Sequence, residues 1–207
     1  MKLKLLAFAS LVYSFLLAQS PNKQSILQHT TKILDEIYQA NYTKHHIPGA
    51  AYGIVVDGNL MHANYYGFAN IENKIPVNSE TVFRIASMTK SFTAMAILQL
   101  RDAGKLSLDQ PAYTYYPLLK NIKYPTADAP HITVRDLLTH SAGFPEDNPW
   151  GDRQLAKNDQ QLVELLQQQL SFSTTPQTSY EYSNLGFAIL GKIISNVSGT
   201  PYQAYIQ

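Results

Sequence analysis

Residues 83–90 read Phe83-Arg84-Ile85-Ala86-Ser87-Met88-Thr89-Lys90, and the interpretation of the whole chain starts from them. Ser87 and Lys90 stand at i and i+3, so in a helix their side chains share a face. The stretch they open, residues 87–103, is rich in Ala, Met and Leu, and Gly104 suits the left-handed position that follows a helix end. That composition predicts a helix buried nearly all round. A serine hydroxyl is a poor nucleophile until a base takes its proton, and a lysine serves as that base when burial or positive potential lowers its pKa toward neutrality. A helix N-terminus supplies such a potential and stabilises a developing oxyanion as well.

Spacing alone decides little. With 15 Ser and 12 Lys in 207 residues, chance supplies about 0.9 Ser-x-x-Lys pairs, and Ser20 with Lys23 forms another one. Ser87 differs in its setting, a helix start in an apolar segment where an unpaired lysine is costly to bury. A second constellation, Tyr182-Ser183-Asn184, lies where an irregular stretch (174–183) meets an apolar helix expected over 184–197. A phenol relays protons and an amide binds a carbonyl, while plain capping of that helix by Ser183 or Asn184 accounts for the same residues.

Outward from these two sites, apolar residues at helical spacing predict a helix over residues 25–42, ahead of the His45-His46-Ile47-Pro48-Gly49 break. Residues 50–56 and 60–68, joined by Asp57-Gly58-Asn59, read as an antiparallel hairpin, and 70–80 as a loop. Pro111, Pro117, Pro125 and Pro130 make 105–131 a connection, in which Tyr113, Tyr115 and Tyr116 are candidates for lining a cleft. Thr133 is expected to cap a short helix through His140; a further helix is expected over 155–170, and one more starts in the last seven residues. Two strands and about six helices is an unbalanced count, because an isolated hairpin is marginally stable.

Composition narrows the function classes. Sixteen Lys+Arg against 15 Asp+Glu leave a formal charge of +1 with no like-charge block, which argues against nucleic acid as a partner. The absence of cysteine excludes disulfides, thiol catalysis and Cys-ligated zinc. His45, His46, His62 and His131 lie apart from carboxylate pairs at ligand spacing, so no metal site is expected, and no HExxH, P-loop or GxGxxG occurs. At the start, Lys2 and Lys4 precede an apolar run over 5–17 that ends in small residues near Ala18 and Ser20. This resembles a signal peptide, residues 1–20, and is too short for the ~20 apolar residues of a membrane span. The expectation is export to the periplasm or the extracellular space, with no stable membrane span after cleavage.

Four blocks occur in order: FRIASMTKSFTAMAILQL, GKLSLDQP, ITVRDLLTHSAGFP and YEYSNLGFAILGKIISNVSGTPY. Together they resemble the serine β-lactamase-like superfamily of class C β-lactamases, D-alanyl-D-alanine carboxypeptidases and related esterases, from about Ile47 onward. The resemblance implies a β-lactamase/transpeptidase-like α/β (α+β) fold, with a helix-flanked antiparallel sheet, an inserted helical region and the site between them. It implies Ser87 as the acylated nucleophile, Lys90 as its proton partner, Tyr182 as general base and acid, and Asn184 as the residue orienting the substrate amide. It makes the turn at His140-Ser141-Ala142-Gly143 structural, with His140 a packing or hydrogen-bonding histidine. That turn is no α/β-hydrolase elbow, since Thr139 stands where Gly-x-Ser-x-Gly needs its first glycine.

One departure stands out: the superfamily's third motif, Lys or His followed by x-Gly on a late strand, does not follow Tyr182 here. The expectation is that residues 21–207 are the N-terminal part of a larger enzyme domain, with the C-terminal strands missing from this chain. The function implied is serine hydrolysis through an acyl-enzyme on an amide, β-lactam or ester carbonyl of a small molecule or peptide, without cofactor or metal. The alternatives are a catalytically silent secreted binding protein or a non-functional fragment.

Overall fold

In a computed structural model of the protein, residues 23–147, 151, 153, 157–168 and 170–207 are described; the expected leader lies outside them. Asp57 and Gly58 have φ of 49° and 78°. Two successive residues in that region make the tight turn that matches the twist of a hairpin. It joins strand β1 (Gly49–Val56) to β2 (Asn59–Asn70), antiparallel, with Gly49 opposite Gly67, Val56 opposite Asn59 and an irregularity between Ile54 and Val55. A third strand, β3 (Ile75–Pro76), pairs with β2 and completes a sheet of order β1-β2-β3. The sequence reading has a loop there, because two residues carry no readable period and proline marks an edge.

Helix α1 (Lys23–Lys44) runs two residues beyond each expected end. It is tied to the hairpin through Asp35, whose carboxylate accepts from the Tyr52 hydroxyl, from Asn64 Nδ2 at 2.7 Å and from His62 Nε2 at 3.0 Å. These donors, Tyr52 foremost, then Asn64 and His62, hold the Asp35 pKa down to about 2. The Tyr38 and Tyr52 rings stack with centroids 3.9 Å apart.

The described chain forms two compact units, this one ending at Arg84 and a second spanning Ile85–Gln207. In the second unit a short 3-10 turn (Ala86–Met88) leads into α2 (Thr89–Asp102). There follow α3 (Val134–Leu138), α4 (Asp159–Gln167), α5 (Asn184–Ser198) and α6 (Tyr202–Ile206). The apolar α5 packs against α2, α3 and α6. Its Ile189, Leu190, Ile193 and Ile194 are fully buried with Ile97, Leu100, Val134, Leu137 and Phe144. Thr93 and Tyr202 share a 2.7 Å hydrogen bond between α2 and α6.

Capping explains the helix bounds. Thr133 and Asp136 form a reciprocal capping box on α3, and Asn158 with Gln161 does the same on α4, so α4 starts later than a pattern running from residue 155 suggests. Gly199, at φ 71°, closes α5 in the left-handed conformation.

Two further expectations change. Within 105–131, two 3-10 turns form at Ala112–Thr114 and Pro117–Asn121. Tyr116 is buried there, and Tyr113 and Tyr115 pack, partly buried, against the same core. Helix α2 is not buried all round: α5 and α6 cover a stripe of Thr93, Ala96, Ile97 and Leu100, while Phe92 and Met95 stay exposed.

Candidate active site

Ala86 has φ 45°, a left-handed conformation that costs a non-glycine residue of order 1–3 kcal/mol. It immediately precedes Ser87, which lies in the 3-10 turn with its side chain exposed; a serine inside the buried helix is what the sequence suggested. Lys90 follows in the first turn of α2, half-buried, and its Nζ donates to Ser87 Oγ at 3.2 Å. Ser87 Oγ also lies 2.7 Å from the Tyr182 hydroxyl. The same Lys90 Nζ donates to Asn184 Oδ1 at 2.6 Å, and it sits 4.7 Å from the Tyr182 ring centroid and 5.5 Å from that of Phe187. Ser87, Lys90, Tyr182 and Asn184 are therefore one connected polar network, with the ammonium over an aromatic face. Among the described residues no carboxylate pairs with Lys90.

Tyr182 and Asn184 flank the start of α5, where Ser183 is the N-cap and its Oγ accepts from the Gly186 N–H at 3.1 Å. The capping reading holds at Ser183, and its neighbours Tyr182 and Asn184 contact Ser87 and Lys90. A second segment, 139–147, grips the tripeptide from outside. Asp147 accepts from the Asn184 N–H at 2.7 Å, the Leu185 N–H at 2.9 Å and the Ser183 hydroxyl at 3.2 Å, placing a carboxylate at the positive end of α5. His140 Nδ1 accepts from the Ser183 N–H at 3.0 Å, and the imidazole lies 4.7 Å from the Tyr182 ring. Burial, with the Lys90 charge behind it, holds the His140 pKa below the usual imidazole value, against a smaller opposing pull from Asp147.

The gripping segment is itself anchored. Buried Asp136 accepts from the Thr133 N–H and hydroxyl, the Ser141 hydroxyl and Gln177 Nε2. Gly143, at φ 80°, lets the chain pass close to Thr174, whose carbonyl a Cβ would meet. Gly151 is similarly pinned: a Cβ there would collide with Asn184 Nδ2. Asp147, Phe187 and Gly151 escape the sequence reading. Asp147 lies in a loop 37 residues before Asn184 and belongs to no short motif, so only the geometry reveals it.

No group of three His, Asp or Glu able to hold a metal ion occurs among the described residues, and no described helix is long and apolar enough to cross a membrane.

An antiparallel sheet with a flanking helix, and a helical unit that carries Ser-x-x-Lys at one helix start and Tyr-x-Asn at another, define a β-lactamase/transpeptidase-like fold. The chain belongs to the β-lactamase family, whose Beta-lactamase profile matches residues 34–207. It is 33% identical over 175 residues to Protein flp of Staphylococcus aureus, an alignment covering 84% of this chain and 34% of that one. A penicillin-binding protein homologue from Pyrococcus abyssi, described as octameric, superposes with a TM-score of 0.70 at 31% identity, covering 85% of this chain and 41% of that one. A class C β-lactamase gives a TM-score of 0.72 at 28% identity, with 91% and 49% covered. The chain thus spans about a third of the length of the curated relatives it matches.

Proposed function

We propose that the chain carries the nucleophile of a serine hydrolase that acts through an acyl-enzyme on an amide, β-lactam or ester carbonyl. The observation that carries this reading is the shared hydroxyl: Ser87 Oγ lies within hydrogen-bond reach of both the Tyr182 oxygen and Lys90 Nζ. In this mechanism Tyr182 acts as the general base in its phenolate form beside the Lys90 ammonium: Ser87 Oγ bonds to the carbonyl carbon, the carbonyl π pair moves onto its own oxygen, and the Ser87 proton passes to the phenolate. The Lys90 charge balances the negative charge building on the two oxygens in the transition state. Asn184, with Oδ1 occupied by Lys90, keeps its amide N–H groups for the substrate. Tyr182 then returns the proton to the leaving nitrogen or oxygen as its bond to carbon breaks. Water repeats the sequence on the ester, giving its proton through Tyr182 to Ser87 Oγ and releasing the acid. The substrate is a small molecule or peptide, and acyl transfer by this route uses no cofactor.

A fluorescent penicillin and a fluorophosphonate probe test the reading. Covalent labelling with a mass shift on Ser87, lost in Ser87→Ala, is the expected result. A folded chain that takes up neither probe favours a catalytically silent binding protein.

The N-terminal pattern, Lys2 and Lys4 ahead of the apolar run 5–17, supports export with cleavage near residues 18–20, to the periplasm or extracellular space. N-terminal sequencing of the exported form checks this, and a product beginning at Met1 contradicts it.

A further inference from the structure

Residue 140 touches both sides of Tyr182. Its carbonyl accepts the Glu181 N–H at 2.8 Å, and its ring Nδ1 accepts the Ser183 N–H at 3.0 Å, so the two amides flanking Tyr182 both end on one residue. His140 presents both acceptors to one segment because its backbone is left-handed, at φ 57°. Among non-glycine residues, Asn, Asp and His enter that region most readily. The ring is wedged against Tyr182 at 4.7 Å, Phe187 at 5.1 Å and Tyr180 at 5.5 Å between centroids.

We propose that His140 is a positioning residue which holds Tyr182 against Ser87 only as the neutral Nε2–H tautomer, so that protonation of His140 releases Tyr182. An Nδ1 that accepts an N–H carries no proton, and in the imidazolium both ring nitrogens become donors. Protonation therefore sets Nδ1–H against Ser183 N–H and breaks one of the two bonds that frame Tyr182. The groups facing the ring are Lys90 from α2, the Tyr180 and Tyr182 phenols and the apolar Phe187 from the 180–187 stretch, and Asp147 from its own loop. Lys90 and burial oppose the imidazolium and Asp147 favours it, with burial the largest influence. The grip is thus complete at neutral pH and is lost as pH falls below the ordinary imidazole range.

The link to catalysis rests on the acyl-enzyme reading above, so the test has one arm that needs no activity. Nitrogen-15 NMR of the imidazole reads the tautomer, and the Ser183 amide shift is followed through the His140 titration. An unprotonated Nδ1, with a Ser183 amide that moves in step with the ring, is expected. An Nδ1–H tautomer, or a Ser183 amide indifferent to the titration, overturns the proposal even if the probes label Ser87.

The second arm is the rate of Ser87 labelling against pH. Wild type is expected to lose rate on acidification. His140→Asn keeps an acceptor near the Nδ1 position and tolerates the left-handed backbone, but does not titrate. It is expected to label faster than His140→Leu at neutral pH and to lack the acid limb. His140→Leu is expected to be slower than wild type by about tenfold or more at neutral pH, with the gap closing as wild type loses rate on acidification. An acid limb unchanged in His140→Asn overturns the proposal. If His140→Leu does not fold, the wild-type and His140→Asn profiles still decide. If wild type never labels, the acyl-enzyme reading fails, and the NMR arm alone judges the grip on Tyr182.

Discussion

Lys90 Nζ donates to Asn184 Oδ1 at 2.6 Å, a bond that joins the start of α2 to the start of α5 and fixes the ammonium beside the Ser87 hydroxyl. Removing the cation while keeping the length, as in Lys90→Met, leaves Asn184 and Ser87 without their shared donor. We expect labelling of Ser87 to slow by about 10²- to 10⁴-fold, the range for losing a positioned proton-transfer group. Stopped-time labelling, with far-UV circular dichroism to establish that the variant is folded, measures this. A rate within threefold of wild type contradicts the role given to Lys90.

Gly151 has no room for a side chain, since its Cβ would collide with Asn184 Nδ2 and sit 2.8 Å from Asn184 Cβ. Gly151→Ala must push Asn184 aside and with it the bond to Lys90. A displacement of that size at a reacting centre costs about 10²-fold in rate, so labelling is expected to fall far more than stability. The comparison of labelling rate with melting temperature in the same variant checks it.

Asp136 is buried and accepts from Thr133, Ser141 and Gln177, so it fastens the cap of α3 to the start of the gripping segment. Asp136→Ala leaves several donors without a partner in a buried place and is expected to cost about 2–3 kcal/mol. Urea unfolding gives the value, and a loss below 1 kcal/mol argues that water replaces the carboxylate.

The Tyr116 hydroxyl is buried without a hydrogen-bond partner among the described residues. Tyr116→Phe removes only that oxygen, so stability is expected to rise by about 1 kcal/mol. Destabilisation in the same urea experiment would reveal a partner for the hydroxyl.

Asp35 is held near pKa 2, below the ordinary aspartate value of 3.8, by its donors Tyr52, Asn64 and His62. A carboxylate with a depressed folded pKa contributes stability that is complete above its unfolded value and disappears as pH falls through the folded one. The contribution of Asp35 is therefore present above pH 3.8 and lost on descent through about pH 2. Asp35→Asn is expected to flatten the acid unfolding curve over that window, followed by tyrosine fluorescence of the Tyr38–Tyr52 stack.

What the sequence makes legible is local. The i, i+3 spacing of Ser87 and Lys90, the hairpin turn at Asp57-Gly58 and the cap at Thr133 each depend on residues a few positions apart, and each has the structure that its chemistry suggests. The resemblance carries the Tyr182 and Asn184 pairing across the chain, which no periodicity could do. Hidden from both are the long-range contacts without a motif: Asp147 to Asn184, Gly151 under its amide and Asp35 between helix and hairpin. The third strand is hidden for a different reason, since two residues with a proline leave no alternation to detect. The 3-10 turns among the prolines show that a break in α-helical pattern is not a break in order.

Ser87 and Tyr182 lie 95 positions apart in the chain. Closing a loop of that length costs about 4 kcal/mol of chain entropy beyond a constant, and nothing local offsets it until α5 docks on α2. Contacts of such high order form slowly, after the helices on either side. The serine is therefore chemically ordinary for most of the folding reaction. On the acyl-enzyme reading proposed above, the reactivity of Ser87 waits for that docking, and covalent labelling of Ser87 is expected to time the arrival of α5.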